Sequence, residues 1–121
     1  MATTPLPIPE LKLETVRIPE EILVRCTGRI TSTTADTLEI AIRRLIPESK
    51  RIVLDLTDVN YMDSSGLGEL TAAFTSARNR GCELKLLHLT RKIDDLMQIT
   101  KLATIFDIYS NEQQALSSFK S

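Results

Sequence analysis

Two hydroxyls and a carboxylate stand together at Asp63-Ser64-Ser65, followed at once by Gly66-Leu67-Gly68. A serine hydroxyl can cap a helix, bind an anion, act as a nucleophile or accept a phosphate. Which of these applies depends on where the chain puts it. Upstream lies an apolar run, Ile52-Val53-Leu54-Asp55-Leu56, that reads as a strand; downstream, Leu67, Leu70, Phe74 and Ala77 recur at helical spacing. The hydroxyls therefore stand where a strand hands over to a helix. There the first backbone N–H groups lack partners within the helix, and the macrodipole favours negative charge. Asp and Ser are favoured caps, worth ~0.5–2 kcal/mol over Ala. Gly66 and Gly68 are what a cap alone does not need, since a glycine costs ~1 kcal/mol relative to Ala in a helix. They fit a terminus that something approaches closely.

Each competing chemistry has a requirement that can be checked in the chain. Nucleophilic catalysis would pair Ser64 or Ser65 with His88, the one histidine, which ends a later strand. The G-x-S-x-G elbow is absent, because no glycine precedes the serines at the required spacing. Nucleotide binding would need G-x-x-x-x-G-K-[ST] or G-x-G-x-x-G, and neither follows Gly66. Weak anion binding at the helix start stays open. A phosphoacceptor role uses all the pieces: a phosphoserine brings about −1.5 to −2 charges to a site where the helix favours them. Asp58 and Asp63 oppose that charge. The fold should then survive phosphorylation, while the surface becomes strongly negative and expels a docked partner that would have to desolvate a dianion.

The totals narrow the field further. At 121 residues the chain is one domain, long enough to bury a core, and its 42% apolar and 26% charged content is that of a globular protein. Fifteen basic against sixteen acidic residues, with no Trp, offer neither a basic footprint nor stacking platforms for nucleic acid. No apolar run approaches the ~20 residues of a membrane span. The first residues are Thr- and Pro-rich, unlike a secretory signal. Cys26 and Cys82 each lie in or beside a strand candidate, and are read as buried reduced thiols or, alternatively, a disulfide. With one His and no CxxC or HxxxH spacing, no metal site is expected, and no cofactor.

The elements that must position the serines follow from periodicity. Pro5, Pro7 and Pro9 mark residues 1–10 as an extended or mobile tail, with the domain over 11–121. Residues 11–17 alternate as a strand, 19–21 turn, and 22–27 return as its antiparallel partner. Gly28 punctuates, 31–34 offer helix caps, and Leu38, Ala41, Ile42 and Leu45 mark an amphipathic helix that Pro47 ends. The strand 51–56 reads as buried on both faces, and 57–62 reads as a turn. After the helix opened by Asp63-Ser64-Ser65, Gly81 supplies a stop, 83–87 a strand, Thr90 a cap for a helix with Ile93, Leu96 and Met97 on its inner face, and 105–109 a last strand. Ser110 or Asn111 caps a final helix. The fold class is α/β: a hairpin, then alternating helices and strands, giving a mixed sheet of about five strands and about four helices. The loops at the strands' carboxyl ends, 29–34, 58–65, 90–92 and 110–111, share one edge, where sites usually form.

The run Asp63-Ser64-Ser65-Gly66-Leu67-Gly68, set behind Ile52–Leu56, resembles the signature of STAS domains, a family that includes bacterial anti-sigma factor antagonists. Supporting likenesses are Gly28-Arg29-Ile30, Thr34-Ala35-Asp36-Thr37-Leu38, Gly81 and Glu112-Gln113-Gln114-Ala115-Leu116, so the resemblance spans about 11–119. It implies that Ser64, directly after the Asp, is the phosphoacceptor. It also implies a partner, an anti-sigma serine kinase of ATPase fold that is bound when Ser64 is bare and released when it is phosphorylated, and a phosphatase that resets the switch. The chain would be a cytoplasmic regulator of transcription, not an enzyme. The face expected to meet the partner comprises Thr31, Thr33, Asp63, Ser65, Gly66, Leu67 and Glu69. Thr31 departs from the pattern, since many antagonists carry an Asp there; that departure bears on the efficiency of phosphorylation. The alternative is a STAS domain serving as a scaffold or transport-accessory subunit without a switch.

Overall fold

A computed structural model describes residues 10–119. The chain runs β1 (Leu11–Ile18), β2 (Glu21–Ile30), α1 (Ala35–Leu45), β3 (Arg51–Met62), α2 (Ser64–Asn79), β4 (Glu83–Leu87), α3 (Arg91–Ile99), a 3-10 turn (Leu102–Thr104), β5 (Asp107–Tyr109) and α4 (Glu112–Ser118). The strands lie in sequence order in one five-stranded sheet. β1 and β2 pair antiparallel; β2–β3, β3–β4 and β4–β5 pair parallel. This is the mixed α/β sheet that the alternation predicts. The tail expected over 1–10 lies outside the described residues apart from Glu10. That residue is tied down: its carbonyl accepts from the Arg29 N–H at 2.8 Å.

The two faces of the sheet carry different cores. On one face, Leu38, Ile42 and Leu45 of α1, Leu67, Leu70 and Phe74 of α2, and Ile93 and Met97 of α3 pack over Ile22, Val24, Ile52, Leu54, Leu56 and Leu86. On the other, Leu23, Val53 and Leu87 are covered by Ala115 and Phe119. β3 is therefore buried on both faces, as its unbroken apolar run requires. The second face also buries a lysine. Lys85 is only 5% exposed; its Nζ lies 3.7 Å from Asp107 Oδ2 and 4.9 Å from the Phe119 ring centre, and Arg51 stands 5.8 Å from the same ring. Two cations thus gather around the aromatic ring at the end of α4, where a ring face attracts positive charge.

Residues 57–62, expected as a turn, are strand. β3 continues to Met62 alongside Thr27–Ile30, and the register shifts twice, between Arg25 and Thr27 and between Gly28 and Arg29. Each shift puts an extra residue on β3, so Thr57 and Asp58 both face solvent and the alternation is lost. β2 likewise runs three residues beyond the expected 22–27. Gly28 sits at φ +124°, and a Cβ there would stand 2.1 Å from the Glu10 carbonyl oxygen. β5 is shorter than expected: Ile105 and Phe106 belong to its approach, with Phe106 packed edge-on against Phe74 at 4.8 Å.

Both cysteines are free and buried. Burial pushes the Cys26 thiol up to about 12 and the Cys82 thiol up to about 11. The thiolate is the reactive form, so at pH 8 both should resist alkylation in the folded protein and label quickly in urea; rapid labelling of the folded protein would contradict this packing. Truncating Phe119 to Ala should destabilise the domain by about 3 kcal/mol in urea unfolding, with an unchanged midpoint as the contrary result.

Candidate functional site

β3 delivers the chain to the carboxyl edge of the sheet, and Asp63 turns it into α2. Asp63 is extended (φ −96°, ψ 176°), and its side chain accepts from the Gly66 N–H at 2.6 Å while its carbonyl accepts from the Leu67 N–H at 2.9 Å. It is the N-cap. Ser64 and Ser65 are the first helical residues, both exposed. Their N–H groups have no acceptor within the helix. Among the described residues neither hydroxyl is engaged in a hydrogen bond.

Gly66 is required by the fold itself. A Cβ there would stand 2.1 Å from the Ile30 carbonyl oxygen and 3.0 Å from the Thr31 nitrogen. The Asp63 N–H donates to the same Ile30 oxygen at 3.3 Å. The first turn of α2 is thus pressed onto the end of β2. The close approach expected at this terminus is made, at Gly66, by the chain's own backbone, which leaves Gly66 no outward face for a partner. Leu67, also expected on the partner face, is 2% exposed and lies in the core. Gly66 and Leu67 therefore position the serines and offer no side chain outward. Gly68 is different. It is exposed, and a Cβ there would meet nothing within 4 Å.

The β2–α1 loop borders this turn. Thr34 is buried, with its hydroxyl donating to the Arg29 carbonyl at 2.7 Å and accepting from the Thr31 N–H at 2.8 Å. Thr31 Oγ1 shares a hydrogen bond with Thr33 Oγ1 at 2.9 Å, and Thr33 Oγ1 donates to Glu10 Oε2 at 3.0 Å. The threonines thus form a connected loop, with Thr31 half-buried and already engaged. On the far side of Ser64, Glu69 of α2 meets Asp36 and Glu39 of α1, with carboxylate oxygens all within 4.8 Å of one another. Glu39 pairs with Arg43 one turn on. The sequence reading named Glu69 but missed Asp36 and Glu39, because only the packing of α1 on α2 brings the three together. Arg29 lies 4.8 Å from the ring centre of exposed Tyr61, at the ends of β2 and β3.

His88 belongs to another place. It sits at φ +56°, and its N–H donates to the Tyr109 carbonyl at 2.9 Å. It lines an open cavity of about 660 Å³ together with Thr57, Thr90, Arg91 and Tyr109. Neither serine lines that cavity, so the structure does not bring a Ser–His pair together. Thr90 starts α3 without a side-chain capping bond.

Residues 12–115 match the STAS domain family. The chain belongs to it. An anti-sigma-B factor antagonist of Listeria monocytogenes is 36% identical over 94 residues, covering 77% of this chain and 82% of the relative. Among solved structures, an anti-sigma factor antagonist from Mycobacterium paratuberculosis superposes with a TM-score of 0.81 at 22% identity, covering 96% of this chain and 100% of that one. The phosphorylated form of the Bacillus cell fate determinant SpoIIAA superposes with a TM-score of 0.66 at 18% identity, covering 90% and 98%. At these identities the solved structures establish the STAS fold.

Two substitutions probe the turn. Gly66→Ala forces a methyl group onto the Ile30 carbonyl and should cost about 1–3 kcal/mol. Asp63→Ala removes one cap and should cost about 1 kcal/mol. Urea unfolding of both measures the difference, and a Gly66→Ala domain as stable as wild type would refute the close contact with β2.

Proposed function

We propose that this chain is an anti-sigma factor antagonist whose edge around Ser64 binds an anti-sigma serine kinase, and that phosphorylation of Ser64 ends the binding. The observation that carries this reading is the placement of Ser64: an exposed, unengaged hydroxyl at the first position of α2, beside backbone N–H groups without acceptors. The name and 36% identity of the Listeria relative support the antagonist role.

The energetics favour a switch of surface over a switch of fold. A phosphate on Ser64 gains from the macrodipole, about 0.3–1 kcal/mol when exposed. The carboxylate of Asp63 stands next to it in the chain and opposes it. Because Asp63 is already held by the Gly66 N–H, the new charge need not displace the cap. A kinase, by contrast, must bring nucleotide phosphates to this hydroxyl. Once Ser64 carries its own dianion, the same approach sets phosphate against phosphate in a desolvated interface, which is costly unless each charge is paired. A phosphatase returns the serine. Phosphoryl chemistry then belongs to the two enzymes, and this chain is the substrate and ligand they share, in the cytoplasm where ATP is available.

Affinity capture from the source cell with wild-type, Ser64→Ala and Ser64→Asp baits tests this reading. Wild type and Ser64→Ala should retain an ATPase-fold kinase, and Ser64→Asp should lose at least about tenfold of it. Equal recovery by all three, or recovery of membrane transport subunits in place of a kinase, would favour a STAS domain acting as scaffold or transport accessory.

A further inference from the structure

Beyond the carboxyl ends of β4 and β5, the open cavity of about 660 Å³ is lined in part by His88, Thr90, Arg91, Asp94 and Ser110. That volume is in the range that holds small molecules, and in parallel α/β sheets such ligands sit outside the carboxyl ends of the strands. The start of α3, a helix of nine residues, borders the cavity. Its first backbone N–H groups have no acceptor within the helix. A threonine at the N-cap ordinarily turns its hydroxyl onto one of them. Thr90 does not: it makes no capping bond, and its Oγ1 is buried without a hydrogen-bond partner. A buried hydroxyl left unsatisfied costs free energy, so it points to a partner that the fold itself does not supply.

Further donors stand around it. The His88 imidazole, the Arg91 guanidinium and the Ser110 hydroxyl meet no hydrogen-bond or ion-pair partner among the described residues. His88 takes φ +56°, a left-handed turn that glycine would make without strain. One carboxylate, Asp94, lines the same cavity. It opposes a bare anion but accepts from hydroxyls.

We propose that this cavity binds a small phosphate monoester that also carries hydroxyls, a sugar phosphate in chemical class. The phosphate sits at the start of α3, taking the free N–H groups and the Arg91 guanidinium, with the Thr90 hydroxyl turned outward onto it. Its three acceptor oxygens suit donors that arrive from both the β4–α3 and the β5–α4 junctions. The hydroxyls of the ligand face Asp94, which sets a sugar phosphate apart from inorganic phosphate. Neither Ser64 nor Ser65 lines the cavity, so this site is separate from the phosphoacceptor and does not rest on the function proposed for it.

The test titrates the full, isotopically labelled chain with ribose 5-phosphate, inorganic phosphate and ribose while backbone amide shifts are followed by NMR. Ribose 5-phosphate should move the amides of Arg91, Lys92, Ile93 and Ser110 saturably. Inorganic phosphate should move the same amides with several-fold weaker affinity, and ribose should move none. Arg91→Gln and Thr90→Val should each bind ribose 5-phosphate several-fold more weakly. Thr90→Val should also melt no lower than wild type, because the hydroxyl serves the ligand and not the fold. No saturable shift at these amides, or unchanged affinity in Arg91→Gln, overturns the site. Thr90→Val that melts lower and binds like wild type assigns the hydroxyl to the fold and overturns its role. Inorganic phosphate that binds as tightly as ribose 5-phosphate overturns the pairing of ligand hydroxyls with Asp94.

Discussion

The site depends on one contact: the carbonyl of Ile30 at the end of β2 lies where a side chain at Gly66 would have to be. Through it, the first turn of α2 is seated on the sheet rather than hung from the end of β3. The Asp63 N–H bonds to the same oxygen, and the Asp63 side chain closes the turn from the other end. With residues 63 and 66 held, Ser64 and Ser65 have no freedom to fold inward, and Leu67 is driven into the core. The exposure of the serines follows from the burial of their neighbours.

That arrangement supports the proposal that a charge added at Ser64 would alter the surface and not the fold. The groups that hold the turn are backbone amides, one carboxylate and an absent side chain. None of them uses the serine hydroxyl. On the proposed reading, a phosphate on the serine would therefore act on what lies outside the domain. The sheet beneath is secured from both faces, by α1, α2 and α3 on one side and by α4 with Phe119 on the other, so a surface charge has little leverage on it.

Much of this was legible in the chain. Helical spacing marked α1 and α2, the apolar run marked the centre of β3, and Asp63 was readable as a cap because Asp at a strand-to-helix junction has few other uses. Two kinds of feature stayed hidden. Paired bulges broke the alternation after Leu56, so strand residues 57–62 read as a turn. Long-range neighbours carry no local signal: nothing near Gly66 announces Ile30, thirty-six positions earlier, and nothing near Glu69 announces Asp36 and Glu39. For the same reason the two glycines looked alike in sequence, although one is fixed by internal packing and the other is open to solvent.

In the function proposed above, phosphate on Ser64 expels a kinase without disturbing the domain. The most direct measurement is calorimetric titration of the kinase with the chain carrying phosphoserine incorporated at position 64, against the unmodified chain, with the melting temperature of each recorded alongside. Binding should be at least about tenfold weaker for the phosphorylated chain, with melting temperatures within a few degrees of each other. Equal affinity, or a phosphorylated chain that binds weakly only because it has unfolded, would contradict it.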